Sequence, residues 1–277
     1  MTAGGPDLYG LVGHPVSHSR SPFIHRRFAE QTGQRVEFLL IDVPPGEFEA
    51  ALGRFRERGG RGLNVTLPYK GEAFEYADRL TDRARLAGAV NTLAWLESDE
   101  VLGDNTDGDG LVTDLVSNLA VPLQDRRILL MGAGGAARGA LGPLAATQPA
   151  AIIIANRTLL HAEALAERFD GPVPVSATAY EDLEGSFDLV INATSASLEG
   201  AVPPLPGQIL GPETFCYDMM YQAGPTAFCA WAAGHGAGGV ADGVGMLVEQ
   251  AAESFQLWRG VRPDTASVLE EIRRELA

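Results

Sequence analysis

Short apolar runs rich in β-forming residues alternate with segments of helical periodicity along almost the whole chain. In the first hundred residues, strand-like runs near Leu8, Val36 and Gly62 are separated by helical stretches, and runs near Val90 and Val101 flank a polar ESDE turn. From Arg126 onward, further strand-like runs begin near Ala151, Pro172, Asp188, Phe215 and Gly238. This alternation predicts an α/β fold with largely parallel strands.

A domain boundary is predicted after the helix that the pattern indicates over residues 108–119. The segment AVPLQDRR that follows carries a proline and charges, which interrupt the apolar pattern. We therefore assign residues 1–120 to one domain and residues 121–243 to a second domain, whose first strand begins near Arg126.

The last forty residues are predicted to be helical. In the segment GMLVEQAAESFQLWRG, four apolar residues recur at spacings of three and four and share one face: Leu247, Ala251, Phe255 and Trp258. Gln250 lies on the same face, so it must find a polar partner in the interior.

Composition is that of a globular protein. The chain has 277 residues, 45% of them apolar and 21% charged, which suits one large or two ordinary domains. No apolar run approaches the roughly 20 residues that a membrane span needs, and the N-terminus lacks the basic and apolar regions of a secretory signal. We expect a cytoplasmic protein in which Cys216 and Cys229, both within apolar segments, are buried free thiols.

The formal net charge of −15 restricts the possible partners. It argues against nonspecific binding to nucleic acid, which depends on Lys and Arg, and against binding to anionic membrane surfaces. An anionic small molecule would have to be attracted locally, by helix N-termini and by the cations Lys70, Arg138 and Arg157.

A glycine-rich segment predicts a dinucleotide site. The strand RRILLMG runs directly into GAGGAARG, and a second apolar strand, AIIIANR, follows. Gly132, Gly134 and Ala137 fit the pattern GxGxxG/A, in which glycines allow a tight turn and a close approach of backbone amides to a pyrophosphate. The alternative is a purely structural turn between a strand and a helix.

The end of the next strand indicates which dinucleotide is bound. NAD enzymes usually carry an acidic residue there for the ribose 2′-hydroxyl, whereas this chain has Asn156, Arg157 and Thr158. An arginine is suited to clamping a phosphate, so NADP is favoured over NAD. The alternative is that Arg157 is a solvated surface residue.

Three serines near the N-terminus are candidates for binding an anion. Ser17, Ser19 and Ser21 are spaced by two, so their hydroxyls would share one face of an extended segment. Ser21 is also a suitable N-cap for a helix that starts at Pro22, and hydroxyls beside a helix N-terminus would suit a carboxylate. Metal binding is not expected, because the nearby histidines lack acidic or thiol partners.

A lysine and an aspartate are candidates for proton transfer. Lys70 follows Pro68 at the predicted start of a helix, where the helix dipole disfavours a cation. A lysine in such a place is a plausible proton donor and acceptor if a carboxylate positions it. Asp107 is either that carboxylate or the N-cap of the helix that follows it.

The chain resembles the shikimate dehydrogenase family over nearly its whole length. The motifs that carry the resemblance occur in the family's order: SxSP from Ser19, NVTLPYK, GAVNT, GDNTDG, GAGGAARG, NRT, NATS, YDMMY and DGVGMLVEQAA. The resemblance implies a two-domain α/β fold, with an N-terminal substrate domain completed by the C-terminal helices over residues 244–277 and a Rossmann-type NADP-binding domain.

The resemblance also implies the contacts and the reaction. Lys70 and Asp107 would be the catalytic pair, and the residues contacting shikimate would be Ser19, Ser21, Asn64, Thr66, Lys70, Asn91, Asp107, Tyr221 and Gln250. The NADP contacts would be Gly132, Ala133, Gly134, Gly135, Ala136, Asn156, Arg157, Thr158, Asn192, Ala193, Thr194, Ser195, Gly243 and Met246. The implied reaction is reversible hydride transfer between NADPH and 3-dehydroshikimate, a step toward chorismate and the aromatic amino acids.

Three positions depart from the family's pattern, and one of them, Ala227 at a frequent proline position, is expected to matter little. His161 stands where a second basic residue for the 2′-phosphate is usual, and Ser197 stands where a glycine is expected after NATS. The preference for NADP could therefore be weaker or depend on pH. A serine would alter the loop if the site required a positive φ.

Two other functions are compatible with the sequence. One is a quinate/shikimate dehydrogenase or a related paralogue with relaxed substrate or cofactor choice, and the other is a non-catalytic NADP-binding sensor. A sensor would be expected to lose Lys70 or Asp107, and both are present. The oligomeric state is expected to be monomer or homodimer.

Overall fold

The computed structural model describes residues 5–276, with the side chains of Leu198 and Glu199 excepted. The chain divides into two compact units. Unit 1 comprises Met1–Thr106 and Val248–Val268, and unit 2 comprises Asp107–Leu247 and Leu269–Ala277. The α/β fold class is confirmed.

The secondary structure alternates as the apolar pattern predicts. The strands are β1 (Asp7–Gly13), β2 (Val36–Asp42), β3 (Gly60–Val65), β4 (Arg79–Leu80), β5 (Thr92–Trp95), β6 (Val101–Asp104), β7 (Arg127–Met131), β8 (Ala151–Ala155), β9 (Val175–Thr178), β10 (Leu189–Asn192), β11 (Phe215–Asp218) and β12 (Gly239–Ala241). The helices are α1 (Ser21–Thr32), α2 (Phe48–Glu57), α3 (Lys70–Tyr76), α4 (Asp82–Ala87), α5 (Asp107–Thr113), α6 (Gly135–Ala146), α7 (Leu159–Glu167), α8 (Ala227–Gly234), α9 (Val244–Arg259) and α10 (Ala266–Leu276).

Unit 1 contains a mixed six-stranded sheet in the order β2-β1-β3-β5-β6-β4. Strand β1 is parallel to β2 and β3, whereas β5 is antiparallel to both of its neighbours. Helix α1 presents Ile24, His25 and Phe28 to the interior at helical spacing. It is capped at its C-terminus by Gly33, which takes the left-handed conformation at φ 65°. Ile24, His25 and Phe28 are 0% exposed, so this face of α1 belongs to the packed interior of unit 1.

Unit 2 contains an all-parallel sheet in the order β12-β11-β10-β7-β8-β9, the doubly wound arrangement. Successive residues of β7 point to opposite faces. Ile128 and Leu130 join a core cluster with α6, while Leu129 and Met131 join a separate cluster with α8. Helices therefore cover both faces of the sheet, as an all-parallel sheet requires.

The structure divides the chain at a different place from the predicted boundary at residue 120. Residues 107–118 lie in unit 2, where α5 continues into a π-helical turn over Asp114–Asn118. Gly108 packs so closely on α6 that an added Cβ would lie 2.2 Å from the carbonyl oxygen of Gly139. At the C-terminal end, only Val248–Val268 belongs to unit 1.

Cys216 and Cys229 are buried and unpaired, as predicted, and burial raises the pKa of the Cys216 thiol to about 12. Within residues 5–276, no helix combines the length and the apolar character that crossing a membrane requires.

Candidate functional site

Two of the three candidate serines meet at the start of α1. Ser19 Oγ donates a hydrogen bond to Ser21 Oγ at 3.1 Å and accepts one from the Ser21 backbone N–H at 3.2 Å. Helix α1 begins at Ser21, and Arg20 occupies the N-cap position. The possible N-cap role of Ser21 is therefore wrong, because the hydroxyl two residues earlier reaches the first-turn amide in a local side-chain turn. Ser17 is exposed.

Lys70 is the first residue of α3, as predicted. The preceding residue, Tyr69, is 1% exposed, stacks on Phe48 and donates from its hydroxyl to the Val43 carbonyl at 2.6 Å. The Lys70 carbonyl accepts from Val90 N–H at 2.9 Å. The backbone that carries Lys70 is therefore fixed on both sides. Lys70 is also the only lysine of the chain.

Asn64, Asn91 and Gln250 meet in a buried polar cluster of unit 1. Asn91 Nδ2 donates to Thr106 Oγ1 at 2.9 Å and to Gln250 Oε1 at 3.4 Å. Asn64 Nδ2 donates to Ser254 Oγ at 2.9 Å. Gln250 thus has the polar partner that its place on an apolar face required. Thr66 is partly exposed and donates from its backbone N–H to Val12.

His25 lies beneath this cluster, and sequence reasoning assigned it no role. Its imidazole is fully buried and stacks on Phe38, with ring centroids 4.2 Å apart and an interplanar angle of 7°. Nε2 is 3.1 Å from Asn64 Oδ1, and within the described part of the chain Nδ1 has no hydrogen-bond partner. Burial lowers the pKa of His25 to about 3, although the hydrogen bond to Asn64 opposes this.

The buried histidine predicts a loss of stability in mild acid. The folded pKa of about 3 lies below the unfolded value of roughly 6.5, so the unfolded state binds more protons between these values. Lowering the pH from about 7.5 to about 5 should therefore cost about 2 kcal/mol in the free energy of unfolding. Urea unfolding across this range, with His25→Phe as the variant that cannot titrate, measures it. Parallel pH curves for the two proteins would contradict the assignment.

In unit 2, the glycine-rich loop forms the turn from β7 into α6. Gly132 has φ 106°, and an added Cβ would lie 3.1 Å from the Ala193 carbonyl oxygen, so a side chain is excluded there. An added Cβ on Gly134 or Gly135 would meet no atom within 4 Å. Ala133 and Ala136 lie in the same turn, which exposes backbone N–H groups at the start of a twelve-residue helix. A close-packed glycine turn and exposed N–H groups at a helix N-terminus are suited to binding a pyrophosphate.

The residues that follow β8 form a short polar loop. Asn156 Nδ2 donates to the Thr158 carbonyl at 2.9 Å, and Arg157 and His161 are exposed. Burial raises the pKa of Tyr180 to about 12, and the positive charge of Arg157 opposes this rise. The long, exposed side chain of Arg157 at the end of β8 is suited to binding a phosphate on the ribose.

A buried carboxylate, Asp218, holds the segment from Asn192 to Ser195. Asn192 Nδ2 donates to Asp218 Oδ1 at 3.1 Å, and Thr194 donates from its backbone and hydroxyl to Asn192 Oδ1 at 3.1 and 2.7 Å. Ser197 Oγ donates to Asp218 Oδ2 at 2.6 Å, and the backbone of Ser197 does not have a positive φ. The serine therefore anchors this loop. Burial raises the pKa of Asp218.

Gly243 and Met246 are held by residues that follow or belong to β11. Gly243 N–H donates to the Met220 carbonyl at 3.0 Å, and Met246 N–H donates to the Tyr217 hydroxyl at 3.3 Å. That hydroxyl donates to Asp114 Oδ2 at 2.7 Å. Asp218 and Tyr217 belong to the motif YDMMY, and neither of them is among the contacts predicted from the sequence. A carboxylate and a phenol at the end of an apolar strand need hydrogen-bond partners when they are buried. This is the signal in the sequence that could have identified them. Tyr221 is partly exposed, and Asp107 is 6% exposed.

Comparison with protein families gives three matches along the chain. A profile described as "Shikimate dehydrogenase substrate binding domain" matches residues 11–93, one described as "Shikimate / quinate 5-dehydrogenase" matches residues 114–199, and one described as "Shikimate 5'-dehydrogenase C-terminal domain" matches residues 243–273. Together these matches cover most of both units.

Individual proteins are similar over almost the full length. "Shikimate dehydrogenase (NADP(+))" of Aeromonas hydrophila is 55% identical over 270 residues, which is 98% of each chain. Among solved structures, the Ael1 enzyme of Pseudomonas putida has a TM-score of 0.91 and 47% identity, covering 96% of this chain and 97% of that one. The Thermus thermophilus shikimate 5-dehydrogenase in complex with NADP(H) and shikimate has a TM-score of 0.85 and 34% identity, covering 97% and 99%.

Proposed function

The chain belongs to the shikimate dehydrogenase family, and we propose that it catalyses the reversible, NADP-dependent reduction of 3-dehydroshikimate to shikimate. NADPH supplies the hydride in this reaction, so the protein has to bind both molecules, align them and manage one proton. Relatives named for this activity at 51–55% identity support the proposal. The observation that carries it within the chain is the placement of Lys70.

Lys70 is assigned the proton transfer, with Asp107 as its orienting partner. The chain has 21 basic residues and uses arginine for all but this one. An arginine cannot lose its proton in a protein, whereas a lysine can. A single lysine on a fixed backbone at the start of α3 therefore suits a role that requires a proton to leave and return.

The polar residues of unit 1 are assigned to the substrate. Ser19 and Ser21 present hydroxyls beside the N-terminus of α1, which suits the carboxylate of shikimate. The remaining proposed contacts carry amides and hydroxyls that can bind the ring hydroxyls. They are Asn64, Thr66, Asn91, Gln250 and, in unit 2, Tyr221.

The cofactor is assigned to unit 2. Backbone N–H groups of residues 132–136 bind the pyrophosphate, and Arg157 with Asn156 and Thr158 holds the 2′-phosphate. The loop from Asn192 to Ser195, anchored through Asp218, lies along the cofactor, and Gly243 and Met246 lie near the nicotinamide.

The proposed partners are small molecules. The net charge of −15 is unfavourable for binding nucleic acid or anionic lipid surfaces. We further propose that the enzyme acts in the cytoplasm as a monomer or homodimer.

An activity assay of the purified protein tests the proposal. Shikimate and quinate are each offered with NADP and with NAD, and cofactor reduction is followed by absorbance. We expect shikimate with NADP to give the highest kcat/KM of the four pairs. Comparable turnover of quinate, or comparable use of NAD, would instead indicate the paralogue class. NADP binding without turnover of either acid would indicate a sensor.

A further inference from the structure

We propose that His25 is a positioning residue of the substrate site, because the proton on its Nε2 sets the direction of the hydrogen bonds that run through Asn64 to Asn91 and Gln250. The inference rests on the proposed function, which places Asn91 and Gln250 against the substrate. His25 itself is fully buried and is not among the proposed substrate contacts.

Geometry determines which nitrogen of His25 carries the proton. Nε2 faces Asn64 Oδ1 at 3.1 Å, while Nδ1 is buried and, among the described residues, has no hydrogen-bond partner. A buried N–H with no acceptor would be costly, so the proton belongs on Nε2, where a carbonyl oxygen accepts it. Stacking on Phe38 and contacts with Phe255 and Trp258 hold the ring in this orientation.

The Nε2 proton then fixes the amide of Asn64. Because Oδ1 accepts from His25, Nδ2 must point the other way, where it donates to Ser254 Oγ at 2.9 Å and to Thr92 Oγ1 at 3.2 Å. These hydroxyls receive a hydrogen bond from Asn64, so their own protons serve other acceptors; the two oxygens also lie 2.8 Å apart, where either can donate to the other. Ser254 Oγ donates to the Gln250 carbonyl at 3.1 Å.

The direction continues to the proposed substrate contacts. Thr92 Oγ1 donates to Asn91 Oδ1 at 2.9 Å, and the Thr106 backbone N–H donates to the same oxygen at 2.9 Å. Asn91 Nδ2 is consequently the donating end, toward Thr106 Oγ1 and Gln250 Oε1. Along the path from His25 through Asn64, Thr92 and Asn91 to Gln250, each side chain therefore donates to the next.

The opposite tautomer would reverse this arrangement. With the proton on Nδ1, Nε2 would accept from Asn64, whose oxygen would then face Thr92 and Ser254 and take their protons. Asn91 Oδ1 would lose the hydrogen bond from Thr92. Amide orientation decides whether a substrate hydroxyl meets a donor or an acceptor, so His25 acts on substrate recognition without touching the substrate.

Three substitutions test this assignment. His25→Phe keeps a flat ring for stacking and removes the donor, His25→Gln places an amide nitrogen near the position of Nε2, and His25→Asn is the matched control whose amide stops near the position of Nδ1. We expect KM for shikimate to rise about tenfold in the Phe and Asn variants, since a buried group of Asn64 loses its partner. The Gln variant should stay within about threefold of the wild type.

Two further readouts separate positioning from a purely structural role. KM for NADP, whose proposed contacts lie in unit 2, should not change in any variant. An unchanged KM for shikimate in His25→Phe, or a defect in His25→Gln as large as in His25→Phe, would overturn the proposal. A parallel rise of both KM values with loss of thermal stability would overturn it as well.

Nitrogen-15 NMR of the wild-type histidines tests the tautomer independently of activity. The His25 signals are identified by their absence from the Gln variant. We expect the neutral form with the proton on Nε2 throughout about pH 5 to 8, and a proton on Nδ1 would overturn the inference. If the wild-type protein failed to oxidise shikimate while showing the expected tautomer, the proposed function would fail and the hydrogen-bond direction would stand.

Discussion

Replacing Lys70 with methionine should lower kcat for shikimate oxidation by a factor of about 10² to 10⁴, the usual contribution of a positioned acid or base. Methionine has a similar length and apolar stem but no proton to transfer. The NADP dissociation constant, measured by fluorescence titration, should stay within about twofold, because the proposed NADP contacts lie elsewhere in the chain.

Lys70→Arg is the matched control for charge. It keeps a cation at the start of α3 but replaces the amine with a group that stays protonated. We expect kcat to fall nearly as far as in the methionine variant. An arginine variant with near wild-type kcat would show that the site needs a positive charge rather than a transferable proton, and full turnover in the methionine variant would exclude Lys70 from the chemistry.

Replacing Arg83 with methionine should lower the free energy of unfolding by about 3–5 kcal/mol, the range observed when one partner of a buried ion pair is removed. The Asp104 side chain is 1% exposed, and Arg83 binds it in a bidentate manner at 2.7 and 2.5 Å. Burial acts to raise the pKa of Asp104, but the hydrogen bonds and charge of Arg83, together with hydrogen bonds from Thr81 and the Asn105 backbone, outweigh it, so the pKa lies below its ordinary value. Urea unfolding near neutral pH measures the loss.

The double variant Arg83→Met with Asp104→Asn is the control. It removes the uncompensated charge, so it should recover a large part of the stability lost in Arg83→Met. The wild-type contribution should be present above the ordinary carboxyl pKa and disappear as the pH falls through the lower folded value. A loss of less than about 1 kcal/mol in Arg83→Met would place this pair among weak surface ion pairs.

Elements with a clear apolar period were predictable from the sequence, and elements defined by distant contacts were not. The all-parallel sheet of unit 2 follows from apolar runs separated by helical segments, and the glycine loop follows from its place between β7 and α6. Strand β4 has only two residues, too few to show a period. The division near Thr106 depends on the packing of Gly108 against Gly139, which no local pattern records.

The candidate site shows the same limit. Lys70, the serine pair and the need of Gln250 for a partner were predictable, because each depends on nearby residue types. His25 and Asn64 are 39 positions apart, and Asn192 and Asp218 are 26 positions apart. Nothing in either local sequence says that these polar groups share a buried space. Their roles emerge only when separate elements are packed together.

The single lysine at the start of α3 has a practical consequence for handling the protein. A lysine-specific protease has one bond to cleave in these 277 residues, after Lys70. Amine-directed reagents, including crosslinkers, fluorophore esters and coated surfaces, have one side-chain target, which is the proposed proton donor. A probe attached to that side chain would therefore report on the proposed catalytic group, and coupling the enzyme to a support through it would risk abolishing turnover, whereas tethering through another functional group would spare it.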